Sequence, residues 1–239
     1  MTETNRTTPA TEQPRKESLL ANLLLNIAIP TLILTKLSGE DWLGTKWAIV
    51  VALVFPLSYG LRDLLRSGKV NLFSALGVIS ILLTGGISLL ELDAEYIAIK
   101  EAAIPGLLGI ATVASLYTRW PLVKTFLYND MVLNTAKIAS VLAGNGNQGA
   151  FDRTLQQASW MIAGSFFLSS ALNYILAKLM LQSPPGTEAF NVELGKMTMV
   201  SYGVIFVPSM LILILALFFL LYRITKLTGL KLEEVMAQQ

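Results

Sequence analysis

Apolar residues along this chain come in long blocks separated by short polar breaks. A helix needs about 20 mostly apolar residues to cross a bilayer. Six blocks approach that length: 19–37, 45–61, 71–90, 96–117, 157–181 and 198–222. The last carries VIFVPSMLILILALFFLLY without a charge, whereas the fourth holds Lys100 and Glu101 side by side. The predicted fold class is therefore all-α, a polytopic membrane bundle of six transmembrane helices over 19–222. A polar tail at 1–18 precedes it and reads as disordered, and a polar tail at 223–239 follows. The apolar run after Lys16 is too long for a cleavable leader and no small-residue cleavage site follows it, so the first block reads as a retained span.

The longest break, 118–156, has its own pattern. PLVKTFLY opens on a proline and is amphipathic. NDMVLNTAKIASVLAG follows, with Asn129 or Asp130 as the expected N-cap and Gly144 as the expected stop. Val132, Leu133, Ile138, Val141 and Leu142 recur at helical spacing, which predicts short interfacial helices lying along the membrane between spans four and five. GNGNQG reads as a hinge, since it lacks the Lys-Ser/Thr of a phosphate loop.

Charge then orients the bundle. Of the 18 Lys and Arg residues, thirteen fall in the connections that share a side with the N-terminus, and only Lys36, Lys46 and Lys196 fall opposite. Lys and Arg accumulate on the cytoplasmic side, so both termini are expected in the cytoplasm. The opposite turn, ELDAEY, is acidic. A bacterial inner membrane fits this arrangement. The chain is 54% hydrophobic and 14% charged, with no Cys and no His. That composition removes thiol and imidazole chemistry and His/Cys metal sites. No nucleic-acid motif is present, and nothing in the sequence calls for a cofactor.

Within the spans, small and kinking residues stand out. Span three carries Ser74, Gly77, Ser80, Thr84, Gly85, Gly86 and Ser88, and span five carries Ser159, Ala163, Ser170, Asn173 and Ala177. Small residues let helix backbones approach closely in lipid, with Gly77, Gly85 and Gly86 as the expected packing glycines. Pro30, Pro56, Pro105 and Pro208 each remove a backbone donor inside a span and are expected to bend it.

TGGISLLELDAEYIAIKEAAI, then WPLVKTFLYND, then LSSALNYILAKLM occur in an order similar to the intracellular septation protein A family of bacterial inner-membrane proteins. The resemblance covers 59–223. It implies a small polytopic protein of envelope integrity and septation, with no established catalytic residues to carry over. The chain departs from the family in its longer cytoplasmic loop and in Glu101.

Lys100 and Glu101 form the polar feature to explain. A charge at the centre of a membrane helix costs about 2.5–3.5 kcal/mol on insertion scales. Lys100 lies about four residues, or roughly 6 Å, from the outer end, where a lysine can snorkel. Adjacent helical residues point about 100° apart and are not expected to pair. Lys100 would then face Glu91, Asp93 and Glu95, and Glu101 would face Lys178, with Asn173 adding a hydrogen bond. Two readings stay open: an ion pair that fixes span four to span five, or a polar site for a proton, a lipid headgroup or a small solute. With a single intramembrane carboxylate, no acid–base pair is available, so an enzyme is not expected. Transport or lipid handling stands beside a pure scaffold that binds envelope or division proteins. A polar cleft reaching Glu101 separates the first from the second, which needs only a filled bundle.

Overall fold

The computed structural model describes residues 27–66, 72–118, 121–128, 130 and 132–236. The expected tail 1–18 and the first part of span one lie outside the described residues. Among those described the fold is all-helical, with one isolated bridge between Leu133 and Met236. The helices are α1 (Ile29–Lys36), α2 (Gly44–Arg66), α3 (Leu72–Leu89), α4 (Ala94–Ser115), α5 (Leu122–Leu127), α6 (Thr135–Gly144), α7 (Gln148–Met180), α8 (Glu188–Ser201), α9 (Val207–Thr228) and α10 (Leu232–Val235). A π-helix over Tyr202–Phe206 joins α8 to α9.

Among the described residues four helical segments are long and apolar enough to cross a membrane: 44–62 within α2, α4, α7, and the continuous 188–228. Their outward faces carry large apolar side chains that no protein covers, among them Leu107, Ile110, Leu179, Leu211 and Phe218. Water would penalise such faces and lipid would not, so the surface is that of a membrane protein. Aromatic residues mark its edges. Trp42 and Trp47 are exposed at one end of the bundle, and Tyr117, 83% exposed, stands at the other. From Tyr96 to Tyr117 the chain rises about 32 Å at 1.5 Å per residue, close to a hydrocarbon core of about 30 Å.

The long helices overrun the expected spans for a simple reason: hydropathy registers contact with lipid, not helical conformation. The segment 188–228 is about 60 Å long at 1.5 Å per residue, twice a bilayer core. Its first turns carry Glu188, Glu193 and Lys196 and pack on α1 and α2, where Asn191 Nδ2 donates to Ser38 Oγ (3.2 Å) and to the Thr45 carbonyl (2.9 Å). Likewise the polar start of α7 extends beyond the expected span. α4 and α7 lie closest together. Ser170 Oγ of α7 donates to the Ala102 carbonyl at 2.8 Å, and a Cβ at Gly109 would stand 2.8 Å from the Phe167 ring. Only glycine permits that approach.

Two buried clusters hold the ends. One gathers Ile33, Ile49, Ile97, Leu176, Phe190 and Leu194 from five helices. The other gathers Leu133, Ile138, Leu142, Phe151, Leu220, Ile224 and Val235 around α5, α6 and α10. The second cluster covers one face of the short helices expected in this loop and shifts their bounds. α6 begins at Thr135, not near 130, because Asn134 caps it by accepting from the Lys137 N–H (3.1 Å), while Asp130 takes the Thr135 hydroxyl instead. Ile138 and Leu142 are wholly buried in protein. GNGNQG is a tight connection rather than a loose hinge: Asn147 Nδ2 donates to the Leu227 carbonyl at 2.8 Å. The C-terminal segment folds back as well, with the Asn134 N–H donating to the Val235 carbonyl (2.9 Å) and Lys137 pairing with Glu234 (2.9 Å).

Candidate functional site

α4 begins where Asp93 accepts the Glu95 N–H, a short cap that sets the helix in register. Two turns later Lys100 turns into the bundle, with its side chain only 7% exposed. Its ammonium donates to Thr84 Oγ1 (2.7 Å), Ser80 Oγ (3.2 Å) and Glu101 Oε1 (2.6 Å). Ser80 and Thr84 stand four residues apart on α3 and so share a face. Three donors meet three acceptors, and the lysine is saturated.

This geometry corrects four expectations. Lys100 faces Ser80 and Thr84 rather than Glu91, Asp93 and Glu95. Glu101 pairs with its neighbour Lys100, because the lysine's four-carbon stem bends back over the roughly 100° between their directions. Lys178 does not reach Glu101. It lies at the C-terminal end of α7, half exposed, and ion-pairs with Glu95, which also accepts from the Tyr174 hydroxyl at 2.6 Å. Asn173 donates to the Ser169 carbonyl (2.8 Å) on its own helix. The Lys178–Glu95 pair is screened by solvent, whereas the Lys100 side chain is only 7% exposed.

Lys100 and Glu101 are charged groups on the wall of a cleft of about 520 Å³ between α1, α2, α3, α4 and the α8–π junction. The rest of the wall is mostly apolar: Leu34, Ala52, Leu53, Val78, Ile81, Leu194 and Met197, with Thr198 and Tyr202 on one side. Val78 is eleven residues from the C-terminal end of α3, about 16 Å at 1.5 Å per residue.

The flagged prolines divide between the cleft and its supports. Pro30 and Pro56 line the cleft. Pro105 lies inside α4, where it has no N–H to offer the carbonyl of Glu101, four residues back. Pro208 follows the π-helix, whose i→i+5 pattern appears in the Val207 N–H bonding to the Tyr202 carbonyl. Of the glycines, Gly85 meets Leu53 of α2, since a Cβ there would stand 2.5 Å from Leu53 Cδ1, while Gly86 faces open space. The surroundings of Gly77 lie outside the described residues.

Sequence reasoning named the charged pair but missed its cage. Ser80 and Thr84 had registered only as small packing residues, although their spacing already placed two hydroxyls on one face. The π-helix beside Tyr202 had no signal beyond Pro208. Among the described residues, no group of three acid residues is placed to hold a metal ion. No known protein family, curated protein or solved structure matches the chain.

Proposed function

We propose that this chain is a six-span inner-membrane protein of the bacterial cell envelope, with both termini cytoplasmic, that holds an amphipathic lipid or small solute in the cleft lined by Lys100 and Glu101. One observation carries the reading. A protein that only braces partners needs a filled bundle, yet here an apolar slot of lipid dimensions leads to a charged pair inside the membrane. Ligand sites are typically concave and apolar with a few placed polar groups, and intramembrane ionisable residues mark substrate paths by default. The residues offer binding and positioning rather than bond-breaking, so the proposed role is non-enzymatic. The order of motifs that resembles the septation protein A family supports an envelope setting. Spans one and three complete the six by sequence, α1 and α3 being their described parts.

The test is native mass spectrometry of the full chain released from detergent, beside a Val78→Trp variant that fills the slot away from the charges. Lipid-sized adducts on the unaltered protein that vanish in Val78→Trp are expected. Identical spectra from the two proteins would favour the scaffold reading.

A further inference from the structure

The charged pair on the cleft wall is not symmetric. Lys100 has spent all three N–H groups on Ser80, Thr84 and Glu101, and its side chain is 7% exposed against 29% for Glu101. Glu101 uses Oε1 for the lysine, and among the described residues Oε2 accepts nothing. The group that faces the cleft is therefore a carboxylate oxygen with free lone pairs, not an ammonium. Among the described residues no other charged group lies on the cleft wall. A ligand carrying a negative head would meet that oxygen while the neighbouring lysine has no donor left for it. A ligand carrying a protonated amine would complete the carboxylate through a charge-assisted hydrogen bond. The apolar part of the wall, with Leu53, Val78 and Met197, suits an alkyl chain.

We infer that the cleft selects a cationic amphiphile: a single alkyl chain with a protonated amine head seated on Glu101 Oε2, while Lys100 positions the carboxylate and does not touch the ligand. This rests on the cleft reading above and adds the sign of the head group.

The two are separable in one experiment. Full-length protein in nanodiscs of zwitterionic lipid is titrated with radiolabelled dodecylamine, with dodecanol and dodecyl sulfate as competitors, and the saturable component is measured. The amine is expected to bind at least about tenfold tighter than the alcohol, with the sulfate failing to compete. Glu101→Gln should lose that preference, and Val78→Trp should lose saturable binding altogether. Equal binding of all three probes that Val78→Trp abolishes would keep the cleft and overturn the cation assignment. Tighter binding of the sulfate, or an amine preference that survives in Glu101→Gln, would overturn it too. No saturable binding of any probe would overturn both readings. Should Glu101→Gln fail to fold, the order of the three head groups on the unaltered protein decides.

Discussion

Replacing Thr84 by valine keeps the shape of the side chain and removes one of the three acceptors around Lys100. Thr84 Oγ1 stands 2.7 Å from the ammonium, closer than Ser80 Oγ at 3.2 Å, so it holds the stronger of the two neutral contacts. The ammonium is nearly buried. A hydrogen bond to a charged group contributes about 1.5–3 kcal/mol, so Thr84→Val should lower stability by about 2 kcal/mol, and Ser80→Ala by about 1 kcal/mol. The loss belongs to the charge, not to the hydroxyl. In a Lys100→Met background Thr84→Val should therefore cost less than about 0.5 kcal/mol, leaving a coupling of roughly 1.5 kcal/mol in the cycle. Equilibrium unfolding of the four proteins in mixed detergent micelles measures it. Equal losses from Thr84→Val in both backgrounds would show that the cage does not hold the lysine, and the saturation argument would fail with it.

Reporter fusions after Lys69, Gly144 and Gln239 should read cytoplasmic and fusions after Asp93 and Gly186 periplasmic; a periplasmic signal at Gly144 would break the six-span topology. Gly109→Val puts atoms into the Phe167 ring and should destabilise the α4–α7 contact by about 1–3 kcal/mol, with Phe167→Ala restoring part of it; additive unfolding losses would argue against that contact. The Lys137 ammonium, and then the Lys231 N–H, hold the Glu234 carboxyl below its ordinary value. Its contribution is present above the ordinary carboxylate range and is lost as pH falls through the lowered value. Hydrogen exchange in 230–236 should accelerate below about pH 4, less so in Glu234→Gln, and an unchanged pH profile in that variant would remove the anchor.

What the sequence revealed and what it hid follow from what periodicity measures. Long apolar runs overlap the four membrane-length helical segments found among the described residues, and Lys100 and Glu101 stand out in the sequence as charges within an apolar run. Periodicity says which face of a helix a residue takes, but not which helix stands opposite. Thus Lys178 looked like the partner of Glu101 by depth, while the structure places α3 beside Lys100 and leaves Lys178 to Glu95. The rule that adjacent residues do not pair speaks of Cβ directions, and a lysine stem is long enough to escape it. Helix length was hidden for a different reason: Glu188–Gly195 is helical but polar, and a hydropathy pattern ends where lipid ends. The buried positions of Ile138, Leu142 and Val235 were likewise unreadable, since an apolar face on a short helix looks the same whether lipid or protein covers it.

The central claim is that the cleft at Lys100 and Glu101 is reachable from the outer side of the membrane. The chain has no cysteine, so a single Thr198→Cys on the cleft wall reports on that space alone, with Ile110→Cys on the lipid-facing side of α4 as the control. A membrane-impermeant maleimide reacts with thiolate in water. Added to right-side-out vesicles, it should label Thr198→Cys and leave Ile110→Cys unlabelled, and dodecylamine should slow the reaction. Labelling of Thr198→Cys only in inverted vesicles, or none from either side, would contradict the account.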